Sequence, residues 1–255
     1  MYASYIRFMP DSTQNDIFRP ALLERFPFAG LIGGIFLAHL LIRFGGIWNV
    51  LFIPLSMLVI WPIPWIVSNR RARVNMGFKN PKSLIWFLLG PLYALAALLV
   101  CIALVWLAFG SGDYNWMVQH ALYLSEALSQ APSGTSKLTG FVIVTLPALI
   151  FSPFAEEFLY RGYMLSGFSQ ILGIRSALMI QAFAFALAHL AHYGLNPFQP
   201  LLIAIWFPSM FFAALVLGWI TIKSESIWVA VLSHGFFNIG MNGLVFILLP
   251  DVLGV

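Results

Sequence analysis

The sequence predicts an all-α protein: a polytopic transmembrane helical bundle of about seven membrane spans, ending in a four-helix core. Three observations carry that reading. Hydrophobic residues make up 61% of the 255 and charged residues 9%, a composition outside the range of soluble globular chains. Several apolar runs reach the roughly 20 residues that a helix needs to cross a hydrocarbon core of about 30 Å. The chain also lacks the strand-period alternation that a membrane barrel requires.

Residues 1–25 mix Arg7, Asp11, Asp16, Arg19, Glu24 and Arg25 with scattered apolar residues. They lack the pattern of a cleaved signal peptide and read as a retained, cytoplasmic N-terminal tail. Apolar spans at 26–43, 47–67 and 84–109 form an N-terminal three-helix membrane region over 26–109. Residues 110–137, with the polar stretch SQAPSGTSK, read as an extracytoplasmic loop. Spans at 138–168, 174–193, 199–221 and 227–249 then make a C-terminal helical core over 138–255. Pro62, Pro64, Pro91, Pro147 and Pro153 fall inside spans, where kinks are expected and neighbouring helices satisfy the freed backbone groups.

Charge sets the topology. Residues 68–82 carry five Lys/Arg and no acid, which assigns that loop to the cytoplasm. Threading the spans from there puts the N-terminus, Arg175 and Lys223 inside, and the 110–137 segment, the Tyr193–Gln199 turn and Asp251 outside. Because the basic residues lie between apolar runs, the net charge of +4 reports orientation and not a nucleic-acid partner. Cys101 is the sole cysteine, so neither an intrachain disulfide nor a cysteine-rich metal site is available. The short chain and brief loops point to an integral protein of a prokaryotic cytoplasmic membrane.

Of nine Asp/Glu and 13 Lys/Arg, Glu156, Glu157 and Arg161 in SPFAEEFLYRG fall deep within a span, the others in tails, loops or span ends. A charge at mid-membrane costs on the order of 3 kcal/mol, so this cluster needs an internal polar setting. Glu157 and Arg161, at i,i+4, share a face and neutralise each other. Glu156 is turned about 100° around the helix and finds Tyr at position 160, which leaves one carboxylate in excess of its base.

Three of the five histidines lie in the same core. FALAHLAH supplies His189, with Phe185 one turn before it, and His192; SHGFFN supplies His234, with Asn238 one turn on. Counted at 1.5 Å per residue from the cytoplasmic helix ends, the glutamates lie roughly 17 Å deep, His189 roughly 22 Å and His234 roughly 12 Å, close enough to meet at one cavity. His192 is a weak candidate, and His39 and His120 read as structural or incidental.

E-E-x-x-x-R from Glu156 to Arg161, F-x-x-x-H from Phe185 to His189 and H-x-x-x-N from His234 to Asn238, in that order on successive membrane helices, resemble the CPBP family. That family comprises the type II CAAX prenyl endopeptidases and related bacteriocin-processing or immunity proteins. The resemblance covers about residues 138–245 and nothing of 1–137. It implies an intramembrane peptidase with 138–255 as catalytic core and a water-filled cavity opening toward the cytoplasmic side and to lipid.

Peptide hydrolysis needs a base for water, stabilisation of the oxyanion and a proton for the leaving amine. On this reading Glu156 is the base, His189 helps hold the water, His234 and Asn238 donate to the oxyanion, and Glu157 is tied up by Arg161. Glu156 is preferred to Glu157 because Arg161 claims the latter. No cofactor is required. Zinc held by Glu156, His189 and His234 is the competing mechanism, although the chain has no HExxH. A proton-coupled transporter using the same cluster would be expected to show a repeat, and none is found. A non-enzymatic immunity or peptide-binding membrane protein is the remaining alternative, and the intact set of six residues argues against it. The expected partners are the bilayer and a membrane-associated peptide or protein, lipidated or not.

Overall fold

The computed structural model describes residues 17–253 apart from 50, 130 and 133, so most of the tail expected over 1–25 lies outside the described residues. Helix accounts for 79% of the described residues, and no strand occurs among them. The chain is an all-α integral membrane protein.

Apart from single turns at Pro20–Leu23, Gly45–Ile47 and Pro250–Leu253, the helices are α1 (Phe28–Phe44), α2 (Phe52–Val67), the short α3 (Arg70–Asn75), α4 (Trp86–Phe109), α5 (Trp116–Ser129) and α6 (Lys137–Glu157). A π-helical segment, Phe158–Leu165, continues α6 into α7 (Ser166–Leu172), and α8 (Ile174–His189), α9 (Pro200–Ser224) and α10 (Ile227–Leu248) complete the order. Among the described residues, five stretches are long and apolar enough to cross a membrane: Phe28–Ile47, α4, the continuous Lys137–Leu172, α9 and α10. The apolar α2 and α8 are shorter. Pro62 sits where α2 breaks, whereas Pro91, Pro147 and Pro153 lie inside continuous helices.

The 110–137 segment departs from its reading as a loop, because Trp116–Ser129 is helical. Its apolar residues recur at i, i+3 and i+4, and Trp116, Met117, His120, Ala121 and Leu124 are buried, so the helix folds by laying one face on the bundle. It packs against α6, α9 and α10.

Polar termini tie the bundle together at one end. Asn69 caps α3 by accepting from Ala72 N at 2.8 Å, and Ser68 Oγ donates to Ile17 O at 2.6 Å. Beside them, Ile227 N donates to Gly77 O at 2.8 Å and Lys82 N to Ser224 O at 3.0 Å. The basic 68–82 loop and the α9–α10 turn therefore meet on one face of the protein. Within the bundle, α4 and α10 approach closely at Gly90, where a Cβ would stand 2.5 Å from Ser233 Oγ and 2.8 Å from Val229 Cγ1. Gly90 thus fixes the position of the helix that carries His234.

Candidate active site

Four elements bring the charged residues together. The end of α6 delivers Glu156 and Glu157, the π-helical segment Arg161, α8 His189, and α10 His234 and Asn238. All eight residues of the π-helical segment are buried; such widened turns recur at functional sites because they re-aim side chains while keeping the backbone hydrogen-bonded.

Glu157 is the hub of one half of the site. Its Oε1 accepts from Arg161 Nη1 at 2.9 Å and pairs with His234 Nδ1 at 2.8 Å. Arg161 is held in turn by Ala214 O at 3.1 Å and by the Phe185 ring, 4.9 Å from its guanidinium carbon. The expected Glu157–Arg161 pair is present, and His234 joins it.

Glu156 is paired with Arg43, contrary to the expectation that it has no base. Arg43 Nη1 lies 2.8 Å from Glu156 Oε1, and the guanidinium also reaches Ala188 O at 3.1 Å, His192 Nε2 at 2.7 Å and His189 Nε2 at 3.4 Å. Arg43 is 1% exposed, so it is not the solvated span-end charge its position implied. It reaches the site because Ile32, His39 and Arg43 recur on the inward face of α1. That recurrence was legible. The partner was not, since Glu156 lies 113 positions away.

The second oxygen of Glu156 faces the imidazoles. Oε2 is 3.7 Å from His234 Nε2 and 3.9 Å from His189 Nε2, and accepts no hydrogen bond among the described residues. His189 Nδ1 lies 2.8 Å from Phe185 O; a carbonyl only accepts, so the proton is on Nδ1 and Nε2 presents a lone pair. His189 is stacked on Phe185 with centroids 4.1 Å apart, an aromatic wall that follows from their spacing of one helical turn. The same logic at Glu157 puts a proton on His234 Nδ1. Asn238 Nδ2 donates to Ala148 O at 2.9 Å, leaving one amide hydrogen uncommitted.

A cavity of about 300 Å³ adjoins these groups. His189, His234 and Asn238 line it, while Glu156 and Glu157 stand behind that wall. Two residues read as incidental or weak also line it. His192 accepts from Arg43, and His120 pairs with Asn242 Oδ1 at 2.8 Å and Tyr193 Oη at 2.8 Å. Burial holds the His120 imidazole below its ordinary range, against the raising effect of Asn242. His39 stays outside the cavity, edge-on to Tyr160 at 6.0 Å.

A zinc ion shared by Glu156, His189 and His234 fits this arrangement poorly. The Arg43 guanidinium already sets a positive charge against both Glu156 Oε1 and His189 Nε2, and a divalent ion there would face like charge.

No curated protein and no solved structure matches the chain. Residues 138–240 match the family described as type II CAAX prenyl endopeptidase Rce1-like. That segment holds Glu156, Glu157, Arg161, His189, His234 and Asn238, and it is over this segment that the chain is similar to the CAAX proteases.

Proposed function

We propose that the protein is an intramembrane endopeptidase that hydrolyses a peptide bond of a membrane-associated protein or peptide with water activated by Glu156. The observation that carries this reading is the meeting of Glu156 Oε2 and His234 Nε2 at 3.7 Å, both acceptors, beside the cavity. Glu156 Oε2 is enclosed behind the His189 and His234 rings, so a small shift of that wall admits one water from the cavity to about 2.8 Å from each acceptor, where it donates a hydrogen to both and turns its lone pairs toward the substrate. His189 closes the other side.

As the water oxygen bonds to the carbonyl carbon, its proton passes to Glu156 Oε2; as the C–N bond breaks, the same proton goes to the leaving nitrogen. The free amide hydrogen of Asn238 is available to the oxyanion. His234, whose Nδ1 proton points to Glu157, presents Nε2 as an acceptor for the water, in place of the oxyanion donor that the sequence led us to expect. Glu157 and Arg161 orient His234. The mainly apolar lining, including Ile53, Met57 and Phe151, supports a substrate whose flanks are apolar. The meeting of the 68–82 loop with the α9–α10 turn supports a topology with both on the cytoplasmic side.

The test is Glu156→Gln in the purified full chain with membrane peptides as substrates. Glutamine keeps the shape and loses the basicity, so turnover should fall by about 10²–10⁴-fold while peptide binding persists. Turnover at the wild-type rate would refute the assignment.

A further inference from the structure

The matched segment begins at residue 138, yet the cation beside Glu156 comes from α1. We propose that Arg43 is the positioning residue of the site: it fixes Glu156 through Oε1 so that Oε2 faces His234 and His189. The hydrolytic centre is then completed by the N-terminal helices.

The geometry is that of a built clamp. Nη1 takes Glu156, Nε takes the carbonyl of Ala188, and Nη2 spans His192 at 2.7 Å and His189 at 3.4 Å. The guanidinium is thus attached at once to the helix bearing the glutamates and to the end of the helix bearing His189, and its planar fork suits this better than a point charge. Groups around Glu156 are Arg43 from α1, Glu157, Tyr160 and Arg161 from its own helix and the π-helical segment, His189 from α8 and His234 from α10, with His39 and His192 reaching it only through Arg43. With neutral imidazoles, Arg43 and Arg161 balance Glu156 and Glu157. Without Arg43, a buried carboxylate is stranded.

This inference rests on the reading of Glu156 as the base, and two measurements separate them. In the full chain, Arg43→Gln is expected to lower kcat at least tenfold with KM little changed, and Arg43→Lys to recover only part of it. Independently of activity, a stability cycle uses Arg43→Gln, Glu156→Gln and the double variant. The double variant should melt higher than Arg43→Gln, because it removes the stranded charge. Equal or lower melting of the double variant would overturn the proposal, even if Arg43→Gln alone proves too unstable to assay. A positive cycle beside a fully active Glu156→Gln would instead leave the pairing standing and refute the base. Full recovery of kcat by Arg43→Lys, or a loss confined to KM, would also overturn the positioning role.

Discussion

His234 Nδ1 rests on the same Glu157 oxygen that Arg161 holds, at 2.8 and 2.9 Å respectively. One oxygen therefore joins α10 to the π-helical segment, and its charge is balanced by the guanidinium four residues on. Arg161→Ala should cost on the order of 3–5 kcal/mol, since it leaves a buried carboxylate uncompensated. Melting temperature and membrane abundance should both fall, together with activity. Wild-type abundance with full activity would count against this account.

Metal removal is expected to leave peptidase activity nearly unchanged, because Arg43 supplies the positive charge beside Glu156 and His189. His234→Ala should lower kcat about 10²–10⁴-fold without altering metal content. Elemental analysis of active protein, with rates before and after chelation, is the check. One zinc per chain, whose loss abolishes activity and whose return restores it, would establish the zinc mechanism instead.

Gly90→Ala inserts a methyl 2.5 Å from Ser233 Oγ, next to His234 in sequence. Overpacking of this kind costs about 1–3 kcal/mol, and here it displaces the helix that aims the imidazole. Both melting temperature and kcat should drop. An unchanged kcat would show that α10 absorbs the strain elsewhere.

His120 offers a pH test. Burial lowers its folded-state value, so below the unfolded value of about 6.5 the unfolded chain takes up the proton first. The His120 contribution to stability is therefore lost as pH falls from about 6.5 toward the folded value. Melting curves of wild type and His120→Gln should converge toward acid pH and be furthest apart above pH 7. A constant gap would deny His120 that share.

Local spacing made much of the core legible. Glu157–Arg161 and Phe185–His189 are one helical turn apart, and the structure keeps both contacts. The spacing of His234 and Asn238 put them on one cavity wall, yet it could not show that Asn238 donates to Ala148 O. Arg43 escaped because charge compensation inside a bundle is a property of helix packing, and a sequence lists neighbours along the chain alone. Helix α5 escaped because its apolar stripe is diluted by polar residues on both flanks, so average hydropathy hides what a 3.6-residue period reveals.

The π-helical turn at Phe158–Leu165 also acts as a gear between two parts of the protein. Its rings close at i→i+5 and those of its neighbours at i→i+4, so the face upstream and the face downstream run out of phase. Upstream, the phase presents two carboxylates to imidazoles. Late in the segment, it brings Tyr163 to Ser68 at 2.8 Å and into a stack on Phe18, and beyond it Gly167 is fitted against Ile17 and Ile32. Losing one residue would turn everything beyond it by about 100°, unmeshing the core from the N-terminal segments that fasten around it while leaving both glutamates where they stand.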